Sequence, residues 1–281
     1  MVSCPICQSA KTRKYFSDKT LTLFRCSLCG VKFQHPMPTP EFLSQVYNSS
    51  YYDSLYPEKF LGEQKLLFCD HLGELERLLG DKKGKLLDIG SGRGMFLRAA
   101  LERGWDCVAQ EFSKDAAKAL QDKIGVEVIV CNDLSQAGLP SGSFDLINLN
   151  HVLEHLYQPV AVIKEIYRML KPGGLLYCEV PRQNNFLNLL SNILGKKDFG
   201  FSYHPEHLFI FSIPAMRILF GKIGFKTITL RIVSIGEPHR FVYGVHYTSL
   251  VTHLIVKITT WLKIQNILGG GNLMAIARKP I

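Results

Sequence analysis

From residue 85 onward the chain alternates short apolar runs with stretches whose apolar residues recur every three to four positions. The runs at 85–89, 106–110, 126–131, 144–148, 175–180, 227–234 and 273–278 have the length of buried strands. The stretches at 95–103, 114–122, 159–170 and 213–223 have helical spacing, and Pro159 opens one where a missing amide is tolerated. Lys171-Pro172-Gly173-Gly174 reads as a turn between the helix at 159–170 and the strand that follows. This alternation predicts an α/β fold, a doubly wound, mostly parallel seven-stranded sheet with helices on both faces.

Upstream the pattern differs. Residues 63–79 carry Leu66, Leu67, Leu72, Leu75, Leu78 and Leu79 at helical spacing and stop at Gly80. His35-Pro36-Met37-Pro38-Thr39-Pro40 is a proline-punctuated link, because proline fixes φ and removes amide donors. Three parts result: a small module at 1–35, a linker and helical segment at 36–80, and the alternating domain at 81–281. Within the last, an insertion at about 245–268 places Leu250, Val251, Leu254, Ile255, Ile258, Trp261 and Leu262 on one helical face. It is expected to pack on its own domain. The alternatives are a lid, a dimer face, or peripheral membrane contact through residues 248–264. No internal repeat is visible.

Composition narrows the class. Of 281 residues, 47% are hydrophobic and 20% charged, which excludes disordered and collagen-like chains. The net charge of +9 suits nucleic acid, anionic lipid or a phosphorylated small molecule and selects none. The start of the chain has no basic region followed by an apolar run, and the longest stretch without Asp, Glu, Lys or Arg, 241–256, is too short to span a bilayer. A cytoplasmic protein is expected.

The cysteines separate into two sets. Cys69, Cys107, Cys131 and Cys178 are scattered and read as small hydrophobes. Cys4-x2-Cys7 and Cys26-x2-Cys29 have the spacing of a four-cysteine zinc ribbon, since two tight knuckles bring four thiolates round one ion. Four thiolates leave no open position, so the ion would be structural. Redox pairs or disulfides are the alternative.

Leu86-Leu87-Asp88-Ile89-Gly90-Ser91-Gly92-Arg93-Gly94 places a glycine loop between a strand and a helix, at the strand end where doubly wound sheets bind ligands. The G-x-G-x-G spacing departs from the dinucleotide fingerprint and from a phosphate loop, and it suits a nucleoside without a pyrophosphate. Glu111 follows about 20 residues later, the distance at which an acid takes ribose hydroxyls. Asp133 could accept from an adenine amine or cap the next turn.

Together, the run 86–94, Glu111, Asn132-Asp133-Leu134, Phe144-Asp145-Leu146-Ile147, Leu153-Glu154-His155-Leu156 and Leu170-Lys171-Pro172-Gly173-Gly174 resemble the Rossmann-like S-adenosylmethionine-dependent methyltransferases. That resemblance implies that Asp88, Gly90, Ser91, Gly92 and Gly94 hold the methionine part. It also implies that Glu111 takes the ribose hydroxyls and Asp133 with Leu134 the adenine, with Phe112 and Asn132 among the cofactor-binding residues. Asn150 and His151 would lie beside the reacting methyl, and the final strand would be inserted antiparallel. More narrowly, the cysteine module, the Tyr51-Tyr52 pair and Tyr203-His204-Pro205-Glu206-His207 resemble bacterial sugar C-methyltransferases acting on nucleotide-linked deoxysugars. There a tyrosine and a Glu-His pair serve proton transfer, which implies His207, Glu206 and Tyr203 as catalytic residues, with His151 the rival base. His151-x2-Glu154-His155 is also similar to the Glu-x2-Glu-His of quinone-type O-methyltransferases, which holds a divalent ion. His151 replaces the first glutamate, so a second ion is not expected.

The expected activity is methyl transfer to O or C of a small, anionic or nucleotide-linked acceptor. The Asn148-Leu149-Asn150-His151 run argues against a base-amino methyltransferase. An RNA methyltransferase is the second reading, motivated by six Lys/Arg against Asp18 alone in residues 1–35. A non-catalytic cofactor-fold module is the third, and the intact glycine loop and Glu111 count against it.

Overall fold

The structure, a computed structural model, describes residues 2–39, 41–43, 61–182, 206–234, 241–242, 245–246 and 271–281, with backbone alone at 61–67, 234, 241–242, 245–246 and 271. Its elements are β1 (Thr12–Ser17), β2 (Thr22–Cys26), β3 (Lys32–Gln34), α1 (Leu61–Leu78), β4 (Lys85–Ile89), α2 (Met95–Glu102), β5 (Asp106–Glu111), α3 (Lys114–Ile124), β6 (Glu127–Val130), β7 (Phe144–Asn150), α4 (Pro159–Met169), β8 (Leu170–Arg182), β9 (Phe209–Ile210), α5 (Ile213–Ile223), β10 (Lys226–Ser234), the hairpin β11 (Phe241–Val242) and β12 (Val245–His246), and β13 (Gly271–Arg278).

The main sheet has seven strands in the order β6-β5-β4-β7-β8-β13-β10. The pairs from β6 to β8 are parallel, and β13 runs antiparallel to both β8 and β10. Strand alternation splits the core into two layers. Leu87, Ile147, Leu176, Cys178 and Ala275 face one layer with α4 and α5. Leu86, Leu146, Leu175, Tyr177, Met274 and Ile276 face the other with Leu72 and Leu75 of α1 and Phe96 of α2. The helix boundaries follow local chemistry. Ser113 Oγ accepts from Ala116 N at the start of α3, and Ser212 Oγ accepts from Ala215 N at the start of α5.

One boundary differs from expectation. The Lys171–Gly174 run is not a turn between helix and strand but lies inside β8, where Phe144 faces Leu170 and Leu146 already faces Leu175. The extra residues bulge out, Gly173 takes φ 82, and its amide and carbonyl are held by Lys279 O and Arg278 Nη1. Those partners lie at the far end of β13 and are invisible to local pattern.

The small sheet has the order β1-β2-β3-β9. Its fourth strand comes from the far part of the chain, with Lys32 opposite Ile210 and Phe33 opposite Phe209. Cys4, Cys26, Cys29, Val31 and Phe33 share one apolar layer with Phe209, Phe211, Ala215 and Met216. The cysteine hairpin therefore packs directly on α5. The expected helix at 248–264, its membrane contact and Tyr51-Tyr52 lie outside the described residues. Among the described residues no helix is long and apolar enough to cross a membrane.

Candidate active site

The carboxyl ends of β4, β5, β6 and β7 lie along one edge of the sheet, because those strands are parallel. Asp88 is the fourth residue of β4 and pairs across to Asn148 of β7. Asn148 Nδ2 donates to Asp88 Oδ1 at 2.5 Å, and Ser91 Oγ donates to the Asp88 carbonyl at 2.7 Å. Burial pushes the Asp88 carboxyl up to about 7, against the pull of the Asn148 and Ser91 hydrogen bonds. Asn148 Oδ1 is also buried, and among the described residues it accepts no hydrogen bond.

The loop after β4 is folded by its glycines. Gly90, Gly92 and Gly94 have φ of 65, 52 and 71. At Gly94 a Cβ would come within 2.2 Å of Ile124 Cδ1, so that side-chain end would have to move, and φ 71 is itself a strained conformation for a residue with a Cβ. Glu111, at the end of β5, accepts from Gly92 N at 2.9 Å through one oxygen and from Phe112 N at 2.8 Å through the other. Gln110, which sequence reasoning missed, ties the same loop to β6: it accepts from Gly90 N at 3.3 Å and donates to Cys131 O at 2.7 Å.

An unpaired amide oxygen beside a buried carboxyl, at the mouth of a glycine loop, fits the ammonium end of an amino-acid cofactor. Glu111 is a buried carboxylate at the same strand edge, the kind of group that accepts from hydroxyls. Phe112 is exposed beside it, and Leu134 is buried after β6. Asn132 and Asp133 are exposed, and the Asp133 side chain caps the turn by accepting from Ser135 N at 2.9 Å. The capping alternative thus accounts for that carboxylate's hydrogen bond.

His151 stands just past Asn150 at the end of β7 with φ 54, an uncommon conformation for a residue with a Cβ. Its amide donates to Glu179 O at 2.8 Å. Asn272 Nδ2 lies 3.1 Å from His151 Nε2 and donates to Glu179 Oε1 at 2.6 Å. Tyr177 Oη donates to Glu179 Oε2 at 2.6 Å and lies 2.7 Å from His71 Nδ1. Burial lowers the His151 pKa, but Glu154 and then Glu179 outweigh it, and the net direction is upward. Glu179 and Asn272 were also missed. The one signal for Glu179 was an acid inside the apolar run 175–180.

A second group of side chains lies next to it. Glu154 and His155 sit in the 3-10 turn Leu153–His155, and Glu206 and His207 precede β9. His155 Nδ1 is 2.9 Å from Glu206 O, and the His155 and His207 rings meet edge to face at 4.8 Å. His207 Nε2 and the Glu206 side chain are buried. Gln34 of the cysteine hairpin donates through Nε2 to His207 O at 3.0 Å and through its amide to Leu208 O at 2.9 Å. Tyr203 lies outside the described residues.

The four N-terminal cysteines converge, with Sγ atoms within 4.8 Å of one another. The Cys4–Cys29 and Cys7–Cys26 separations of 3.7 and 3.5 Å are too long for disulfides. They match the edge of a tetrahedron, about 3.8 Å for Zn–S near 2.3 Å. The Cys29 contact pulls Cys4 down to about 5, and the same contact pushes Cys29 up.

A glycine loop with a buried acid on each of two adjacent parallel strand ends defines a nucleoside-binding α/β domain. More specifically, the chain belongs to the methyltransferase-domain family, whose profile matches residues 64–230. It is 27% identical over 132 residues to the ubiquinone biosynthesis O-methyltransferase of Xanthomonas oryzae pv. oryzae, covering 45% of this chain and 54% of that protein. The corresponding protein of Ruegeria pomeroyi is 29% identical over 120 residues, covering 40% and 48%. The chain thus spans about half the length of the curated relatives it matches. Among solved structures it resembles a SAM-dependent methyltransferase of Archaeoglobus fulgidus at TM-score 0.54 and 19% identity, covering 86% of this chain and all (100%) of that one. It also resembles the 1,6-didemethyltoxoflavin-N1-methyltransferase of Burkholderia thailandensis, solved with bound 1,6-didemethyltoxoflavin and S-adenosylhomocysteine, at TM-score 0.56 and 16% identity over 95% of this chain and 99% of that one.

Proposed function

We propose that the protein is an S-adenosylmethionine-dependent methyltransferase with a structural zinc ion on Cys4, Cys7, Cys26 and Cys29. Its acceptor is a small anionic metabolite, a nucleotide-linked sugar being the leading class, methylated at O or C. The observation that carries the reading is the convergence of Asp88, Asn148, the 90–94 loop and Glu111 on one sheet edge inside the family-matched region. When bound, the cofactor supplies an electrophilic methyl on a sulfonium. Asp88 and Asn148 Oδ1 receive its ammonium, Glu111 its ribose hydroxyls, and Phe112 and Leu134 flank its base.

The acceptor must lose a proton as it is methylated, and this chain's part is to orient it and take that proton. His207 was the first choice from sequence, with Glu206 orienting it and Tyr203 assisting. Its Nε2 faces the interior, so we assign the base to His151. The His151 side chain is 17% exposed and follows Asn150 at the ligand edge, and Glu154 and Glu179 favour its charged form. The names of the curated relatives support oxygen as the methylated atom, and the cysteine module supports the sugar class.

Calorimetry tests the cofactor assignment. Glu111→Ala removes a charged acceptor and is expected to weaken S-adenosylmethionine binding by about 1.5–3 kcal/mol. Unchanged affinity, or tighter binding of a nicotinamide dinucleotide, rejects it. With an acceptor in hand, His151→Ala is expected to keep cofactor affinity and lose about 100- to 10,000-fold in turnover. Normal turnover there, with loss in His207→Ala, returns the base to His207.

A further inference from the structure

We infer that Asn272, aimed by Glu179, holds His151 in the tautomer whose hydrogen is on Nδ1 and whose basic nitrogen is Nε2, and so sets the pH at which His151 takes up a proton. Asn272 acts through His151 and is a positioning residue. Its place in the reaction rests on the assignment of His151 as the base, but the order of the hydrogen bonds does not.

That order follows from which atoms can donate. Glu179 of β8 is buried, and both of its carboxylate oxygens accept: Oε2 from Tyr177 Oη and Oε1 from Asn272 Nδ2, each at 2.6 Å. Tyr177 has spent its hydrogen there, so its oxygen accepts from His71 Nδ1 of α1, 2.7 Å away. Burial lowers the His71 pKa, which keeps that end of the chain neutral. The Asn272 amide cannot be turned round, because its oxygen would then face the Glu179 oxygen at 2.6 Å. Its nitrogen therefore serves Glu179 and also lies 3.1 Å from His151 Nε2. An amide nitrogen only donates. Nε2 accepts, and the hydrogen of the neutral ring lies on Nδ1, which faces Glu154 Oε1 at 3.6 Å.

The backbone holds the same arrangement in place. His151 has φ 54, a conformation that persists where neighbours enforce it. Its amide donates to Glu179 O at 2.8 Å. The main chain and, through Asn272, the ring thus both rest on Glu179. Asn272 stands in β13 opposite Pro181 of β8, so the antiparallel insertion of that strand carries it to the ligand edge.

The energetic consequence is a balance. Glu154 from the turn after β7 and Glu179 from β8 face His151. His155 stands behind Glu154, and Tyr177 and His71 stand behind Glu179. The two carboxylates favour the imidazolium. Asn272 works against them, since a proton on Nε2 would meet the Asn272 N–H and cost that hydrogen bond. His151 therefore stays a neutral base to lower pH than the carboxylates alone would allow. A docking acceptor displaces the Asn272 hydrogen, gives its proton to Nε2 and keeps the electron pair for methylation. The imidazolium is then left between Glu154 and Glu179, which stabilise it.

The test is nitrogen-15 NMR of the full chain with labelled histidine rings, titrated without ligand from about pH 5 to 9. The signal that vanishes in His151→Gln identifies the residue. Neutral His151 is expected to show a hydrogen on Nδ1 and a bare Nε2. Asn272→Ala removes the donor, and Asn272→Asp replaces it by an acceptor of the same shape. Both should raise the pH of half-protonation, the alanine by about 0.5–1 pH unit and the aspartate by more. In Asn272→Asp the hydrogen of the neutral ring should move to Nε2. A merely structural Asn272 would leave the titration where it is. The inference is overturned if wild-type His151 carries its neutral hydrogen on Nε2, a result that needs no variant to fold. It is also overturned if half-protonation in both Asn272 variants stays at or below the wild-type pH. Failure of the base assignment reads out separately, as normal turnover in His151→Ala while the wild-type spectrum still shows the bare Nε2.

Discussion

Asp88 offers the most direct test of how single residues are tuned. Its folded carboxyl is pushed up to about 7 by burial, whereas an unfolded aspartate has its ordinary value of 3.8. Between those values the folded chain keeps a proton that the unfolded chain has shed. Stability should therefore fall as pH rises through this window and level off above about 7, by roughly 4 kcal/mol in all. Urea denaturation across pH 4–8 reads this, and Asp88→Asn should flatten that part of the curve. A cofactor ammonium beside Asp88 favours the carboxylate, so affinity for S-adenosylmethionine should climb over the same range in the wild type and not in Asp88→Asn. Asp88, the glycines and Glu111 were legible in sequence because strand ends and loop spacing are local signals. Asn272 beside His151 was not, since the two residues are 121 positions apart and only the antiparallel insertion of β13 joins them.

Elements carry their own predictions. Gly94 sits where a Cβ would meet Ile124 and Leu120 of α3, with φ 71. Gly94→Ala should therefore cost about 1–3 kcal/mol in denaturant unfolding and loosen the cofactor loop. The cysteine hairpin is tied to β9 by strand pairing and by Gln34. If zinc holds the hairpin, Cys4→Ser combined with Cys26→Ser should remove one equivalent of metal. It should also reduce amide-exchange protection at Phe33 and Phe209, while β4 and β7 stay protected. Full metal content in that variant would refute the zinc assignment. Most strands and helices were readable from apolar spacing, with ends off by one or two residues. β9 was not, because a two-residue strand has no periodicity, and β8 was begun five residues too late because Pro172 and the glycines signal a turn that tertiary partners override.

At the scale of the whole molecule, the cysteines and α5 share one apolar layer with the main sheet. Heating should give one cooperative transition that moves down when zinc is chelated, not a separate early one for residues 1–35. Calorimetry distinguishes the two. The exposed strand β1, with Arg13 and Lys14, is the place where RNA would dock if the acceptor were RNA. Gel-shift binding that weakens steeply with salt and is lost on changing Arg13, Lys14 and Arg25 would favour that reading over a small acceptor. The doubly wound architecture was legible because alternation repeats along the chain. The joining of the first hairpin to the far half was not, since pairing between distant segments leaves no local mark. That joining has a consequence for synthesis. Gln34 and the residue it grips at His207 are 173 positions apart. As the chain leaves the ribosome, β3 emerges early with a bare, hydrogen-bond-hungry edge and waits until β9 is translated before that edge is covered. During this interval the nascent hairpin is open to pairing with other chains, and the length of the wait is set by translation speed, not by folding.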